Sequence, residues 1–412
     1  MIVKPFAALR PQEQYVKECA ALPYDVMSSD EARVEVQGKP YSFLHIDKAE
    51  IDLPVGTDLY DDSVYEKAAQ NLKEFEEKGV YVQDQTKKFY FYRQTMDGRA
   101  QTGIVGCASI DDYLSEKIKK HELTRADKEL DRIRHVDTCS AQTGPIFLAY
   151  KKSQPLDEII ESETKKAPLY DFTSDDGIQH TVWATSSPNV DEAIEKAFCE
   201  LSALYIADGH HRAASAVKAG LKRREQNPAY DKAEEFNFFL SVIFPADSLK
   251  IFDYNRLLCE LGGSVEEFLQ KVETALGKVS ECASSAPFRP TEIHSIGLFV
   301  GGKWYCVKFR EELCNAENPA ERLDCAILQK YLLAPVLGIA DPRTDKRIDF
   351  VGGIRGLEYL EKRCNEDMAA AISMYPVTMS ELTDVADAGE IMPPKSTWFE
   401  PKLRSGILIH KI

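Results

Sequence analysis

Between Leu204 and Gly220 the chain reads LYIADGHHRAASAVKAG, and no other stretch narrows the fold as much. "LYIAD" is an apolar run suited to a buried strand, and "RAASAVKAG" reads as a helix closed by Gly220. Asp208 stands where a helix N-cap belongs, which makes Gly209, His210 and His211 the first helical turn. The free backbone N–H groups there, with the positive end of the helix dipole, form a natural anion site. Gly209 lets a phosphate approach the backbone closely, and Arg212 adds a planar donor fork suited to phosphate oxygens. Consecutive helical residues point about 100° apart, so His210 and His211 cannot meet one ligand in the same way. Imidazole and guanidinium groups are unfavourable at a helix start unless something anionic is present. The plain alternative is an ordinary helix start in which Asp208 caps and the histidines pack or lie exposed. A metal site on Asp208 and a histidine lacks a third ligand at recognisable spacing. Asp208 keeps two candidate jobs, cap or general base.

The remaining chain alternates short extended runs with helices, as a mixed α/β or α+β protein does. Strand character marks Tyr41–Asp47, Gly144–Lys151, Gln179–Thr185 and Asn237–Ala246. Hairpins are expected around Met96-Asp97-Gly98 and Gly301-Gly302. Thr124 followed by Asp127 resembles a capping box, so a helix is expected there with Leu123, Ala126, Leu130 and Ile133 as its apolar stripe. The 412 residues allow two or three domains. The best cut falls near Ala246-Asp247, giving a core over 1–246 and a region over 247–412 whose tail returns to the site.

The net charge of −16 repels nucleic acid and anionic membranes unless a basic patch is concentrated locally. The longest apolar stretches, such as YLLAPVLGIA from Tyr331, are about half of what a bilayer span needs. The ten cysteines form no C-x-x-C pair, which points to reduced, buried thiols in a cytoplasmic protein. No G-x-S-x-G elbow and no G-x-G-x-x-G after a strand supports a hydrolase or a dinucleotide fold.

Two further stretches carry candidate chemistry. In KKHELT, Glu122 precedes the expected helix, outside it, where it could project into a cleft and act as a general base, with Lys120 balancing phosphate charge. The bland alternative is a solvated charge run. Near the C-terminus, Lys395-Ser396-Thr397 resembles the end of a P-loop, but no upstream G-x-x-x-x-G exists. That proline-stiffened loop suits a phosphate or carboxylate site, or a tail packed by Trp398 and Phe399. Asp25 in LPYDV is a second candidate acid.

IADGHHRAASA, with KPFAALRP, LPYDV, KKHELT, ELDRIRH and MPPKSTWFEPKLRSG in the same order, resembles the bacterial and archaeal family "domain of unknown function 1015". The likeness spans nearly the whole chain but implies no activity. The turn alone is similar to that of the ParB/sulfiredoxin-like superfamily, whose members include free-serine kinases. That resemblance implies a nucleotide-binding core with large α/β elaborations, Gly209, His211 and Arg212 on the phosphates, and a small-molecule kinase using ATP or ADP with Mg²⁺. Where sulfiredoxins carry a catalytic cysteine this chain has His210, which argues against sulfinic-acid repair. The expected partners are then a nucleotide and a small hydroxylated metabolite, with Asp208, Glu122 and His210 as catalytic groups and Lys120, Lys395, Ser396 and Thr397 supporting the phosphates. The competing class is a ParB-like regulator that binds nucleotide or a phosphometabolite without turnover. Neither reading settles whether the protein is a homo-oligomer.

Overall fold

A computed structural model describes residues 1–283 and 286–412, and it is a mixed α/β structure. The chain forms two compact units, Met1–Leu249 with Pro401–Ile412, and Lys250–Glu400. In the first, nine strands make one sheet: β1 (Val3–Lys4), β2 (Tyr90–Met96), β3 (Arg99–Ser109), β4 (Ile118–Lys119), β5 (Ile146–Tyr150), β6 (Tyr170–Thr173), β7 (Gln179–Ala184), β8 (Leu204–Asp208) and β9 (Phe238–Pro245). Their order is β4-β8-β5-β9-β3-β2-β7-β6, with β1 against β3. Parallel pairs (β4 with β8, β5 with β9) sit among antiparallel ones. The expected hairpin of β2 and β3 forms, with Asp97 and Gly98 both at positive φ as a tight two-residue turn requires.

Five helices of this unit matter here: α1 (Asp62–Glu77), α2 (Ala126–Cys139), α3 (Gln154–Glu163), α4 (Pro188–Cys199) and α5 (His210–Gln226). Helix α5 buries Ala213, Ala216 and Val217 in a core shared with Ile206, Leu148, Phe239 and Ile104. Its small residues let it lie close to the sheet. Gly220 does not end the helix as expected, because α5 continues to Gln226. The glycine is needed for packing: a side-chain carbon there would stand 2.4 Å from the Phe236 carbonyl oxygen and 2.9 Å from Ile110 Cδ1.

Helix α2 overturns the expected apolar stripe. Leu123 and Leu130 are 61% and 58% exposed, while Glu129, Asp131 and His135 are buried. Polar partners compensate: Glu129 takes the Thr124 hydroxyl and the Lys218 ammonium, and Tyr65 donates to Asp131 at 2.9 Å. Thr124 is therefore not the cap; Arg125 holds that position without a side-chain bond. Tyr41–Asp47 is not a strand either, since Leu44–Asp47 forms a helical turn that buries Leu44 and Ile46.

The second unit holds β10 (Tyr254–Leu258), β11 (Gly277–Glu281), β12 (Ser295–Val300), β13 (Lys303–Phe309), β14 (Ile348–Gly352) and β15 (Ala370–Met374). They form an antiparallel sheet in the order β11-β13-β12-β15-β10-β14 around Leu257, Phe299, Trp304 and Leu360. Among the described residues, no helix is long and apolar enough to cross a membrane.

Replacing Gly220 with alanine should lower unfolding stability by about 1–3 kcal/mol, because the rigid Phe236 backbone cannot yield to the new methyl. Urea denaturation checks this, and an unchanged midpoint would contradict the packing role.

Candidate functional site

Strands β4 and β8 run parallel, pairing Lys119 with Tyr205, so the segments leaving their C-terminal ends emerge side by side. Ligands of α/β sheets bind outside such strand ends. Opposite β5 the register of β8 slips between Ile206 and Asp208, a bulge that sharpens the local twist just before the turn. Gly209 then takes the left-handed conformation, φ 88° and ψ 32°, which a residue with a side chain resists. It is Gly209, not Asp208, that occupies the N-cap of α5, and no side chain caps this helix. The first amides of α5 are consequently those for which a helix offers no partner.

Asp208 turns back on the junction. Its Oδ1 accepts the Gly209 N–H at 2.8 Å, and its Oδ2 accepts from Lys402 Nζ at 3.0 Å. Burial alone would raise its pKa, but the charges of Lys402 and Arg212 outweigh it and hold the carboxyl well below the usual range. Arg212 donates to the Pro145 carbonyl at 2.5 Å, and its guanidinium lies 3.2 Å from where a Gly209 side chain would begin. Its Nε is buried and has no partner.

The two histidines of the motif separate, as the helical geometry requires. His210 is buried, with Nδ1 3.5 Å from Glu122 Oε2 and Nε2 lacking a partner. Its ring meets His121 edge to face, centroids 4.5 Å apart, and His121 is buried beside the Ile206 backbone. Burial pushes His121 down to about 4, and burial with the neighbouring imidazole pushes His210 well below its ordinary value. Both rings are neutral near pH 7. His211 points the other way and accepts the Arg125 N–H at 3.0 Å, which ties α5 to the start of α2.

Of the residues singled out in the sequence, the structure gathers Asp208, Gly209, His210, Arg212 and Glu122. Lys120 is exposed, its ammonium 5.9 Å from the centroid of the Tyr113 ring. Lys395, Ser396 and Thr397 belong to the second unit. There the Lys395 carbonyl accepts from Arg256 at 3.2 Å and the Ser396 hydroxyl donates to the Pro393 carbonyl at 2.5 Å. Two residues of the site were missed. His121 stands in a charge run that hides a buried imidazole, though it follows β4. Lys402 lies in the MPPKSTWFEPKLRSG motif but was not singled out within it; it reaches the site because the C-terminal strap lies along the first unit, held by Gln94 to the Lys402 carbonyl at 2.8 Å. Among the described residues, no group of three or more His, Cys, Asp or Glu side chains is arranged to hold a metal ion.

Replacing Lys402 with methionine should cost about 1–3 kcal/mol at pH 7, since a partly buried carboxylate loses its charged donor. A carboxyl whose folded pKa is depressed stabilises above its unfolded value near 4 and loses that contribution as pH falls through the folded value. The deficit of Lys402→Met should therefore shrink below about pH 4. Denaturation midpoints at pH 7 and pH 3 measure it, and an equal deficit at both would refute the ionic pairing.

No curated protein matches the chain. Among solved structures it is similar to a free serine kinase in complex with AMP at 16% identity, covering 71% of this chain and 86% of that one, with a TM-score of 0.36. SbnI with C-terminal truncation from Staphylococcus aureus is similar at 12% identity, 74% and 85% coverage and a TM-score of 0.40. A conserved hypothetical protein from Pyrococcus furiosus is similar at 16% identity, 73% and 93% coverage and a TM-score of 0.35. The family model described as "Protein of unknown function (DUF1015)" matches residues 3–326, and the chain belongs to that family.

Proposed function

We propose that the protein is a nucleotide-dependent phosphotransferase acting on a small hydroxylated metabolite, with ATP or ADP as donor. One observation carries this reading: an uncapped helix start behind a left-handed glycine, flanked by Lys402, Arg212 and an orphaned buried imidazole. Backbone amides, dipole and two cations there favour a phosphate chain. Phosphoryl transfer asks the protein mainly for positioning and charge stabilisation, which suits a site without a covalent nucleophile.

In this reading Glu122 is the general base. Its carboxylate is partly exposed and stands beside neutral His210, whose Nδ1 faces it. The acceptor hydroxyl gives its proton to Glu122 as its oxygen bonds to the terminal phosphorus, and the bridging P–O bond breaks toward the shortened nucleotide. Asp208 has both oxygens engaged, so it organises the turn instead of taking the proton. Mg²⁺, when bound, would be shared between the nucleotide phosphates and a carboxylate and would supply neutralisation of the phosphate charge. Lys120 and His211 lie at the margins, as outer phosphate contact and as the tie to α2 respectively.

Incubating the purified protein with ATP or ADP, Mg²⁺ and small hydroxylated acceptors, free serine among them, should yield the phosphorylated acceptor. Glu122→Gln should lower kcat by roughly 10²–10⁴-fold while leaving the nucleotide Kd nearly unchanged. Tight binding with nucleotide unaltered after long incubation would replace this reading with that of a regulator. Absence of nucleotide binding by calorimetry would refute both.

A further inference from the structure

A small cavity of about 30 Å³ lies within the first unit, and Tyr24, Asp47, Arg132, Thr143, Gly144 and Arg212 contribute to its walls. Two guanidinium groups, those of Arg132 and Arg212, line this one space. Arg212 spends one donor on the Pro145 carbonyl and leaves a buried Nε without a partner. Arg132 stacks over the Tyr24 ring at 4.1 Å and donates only to its neighbour Asp131, at 2.8 Å, among the described residues. Asp47, the carboxylate in the cavity wall, accepts the Thr143 hydroxyl at 2.7 Å and acts through its charge on Arg132. A guanidinium N–H removed from water and left unpaired, as Arg212 Nε is among the described residues, is unfavourable unless an acceptor arrives.

We propose that this cavity is a carboxylate subsite and that the metabolite bound beside the Gly209 turn is a small hydroxy acid. The volume admits roughly two water-sized atoms, the size of a carboxylate's paired oxygens and too little for a ring. Planar guanidinium forks match a planar two-oxygen acceptor. Asp47 in the same wall penalises a second negative charge, which favours a monoanionic carboxylate over a phosphate dianion. Arg212 joins the two places, with its guanidinium against Gly209 and its Cδ 3.4 Å from where a Gly144 side chain would begin. An acid anchored there presents its hydroxyl at the turn. The identity of that hydroxyl as phosphoryl acceptor rests on the proposed function, whereas the carboxylate preference does not.

The test is calorimetry on the full chain without nucleotide, comparing glycolate and glycerate with ethylene glycol and glycerol, which lack the carboxylate, and with inorganic phosphate. The acids should bind roughly tenfold or more tightly than their alcohols, as charge-assisted bonds to two arginines require, and phosphate should not displace them. Arg132→Gln should abolish the preference. Because it leaves Asp131 buried, Gly144→Ala serves as a second probe. Its methyl would meet Ser405 Oγ at 3.3 Å and narrow the cavity with both arginines intact, weakening glycolate binding by roughly tenfold. Equal affinity for acids and alcohols, displacement by phosphate, or a silent Gly144→Ala in a folded protein would overturn the subsite. Nucleotide binding that persists without any carboxylate preference sinks the subsite alone, and carboxylate binding without nucleotide binding sinks the phosphotransferase alone.

Discussion

Lys402 and Asp208 are 194 positions apart in sequence, yet their ammonium and carboxylate meet at 3.0 Å. Everything at the site hangs on that contact. A carboxylate at the end of a buried strand would otherwise take up a proton or draw in water. Held ionised, it accepts the Gly209 amide, and that bond bends the chain through a left-handed glycine into α5. With Asp208 committed to the turn, no side chain caps α5 among the described residues, and in the proposed function its first amides are what the ligand meets.

Around the junction, charge and neutrality are divided between two sides. Toward Arg212 and Lys402 stand two cations, Lys402 paired with Asp208 and Arg212 lining the neighbouring cavity with a buried Nε that has no partner among the described residues. Toward Glu122 it holds two buried imidazoles that burial keeps neutral. A neutral His210 beside Glu122 adds no competing cation, which suits the general-base role proposed for that carboxylate. The unsatisfied Nε2 of His210 is the cost of this arrangement, and a structure seldom retains such a group without use.

The junction was legible because its signal is local: an apolar run, one glycine and a small-residue helix decide the conformation within seventeen positions. Strands β2, β3, β5, β7 and β9 were legible for the same reason. Helix α2 was not, since its inward face is polar and its leucines point outward, so periodicity marked the wrong side. Tyr41–Asp47 misled because a short buried helical turn and a buried strand share one composition. Gly220 looked like a helix stop, but only the position of the Phe236 carbonyl shows it to be a packing requirement. Lys402 and His121 lie in motifs the sequence offers, MPPKSTWFEPKLRSG and KKHELT, but their partners are not legible there. Nothing in "EPKLRSG" announces a partner for an aspartate on β8, and only the pairing of β4 with β8 brings His121 to His210.

In the proposed function the strand–Gly209–helix junction is an anion site organised by Asp208 and Lys402. Its most direct test is a titration of ¹⁵N-labelled protein with ADP, followed through the backbone amide resonances. The account predicts that the largest shifts fall on Gly209, His210, His211 and Arg212, with Lys402 responding alongside them. Shifts confined to residues 250–400, or none in the junction at saturating nucleotide, would contradict it.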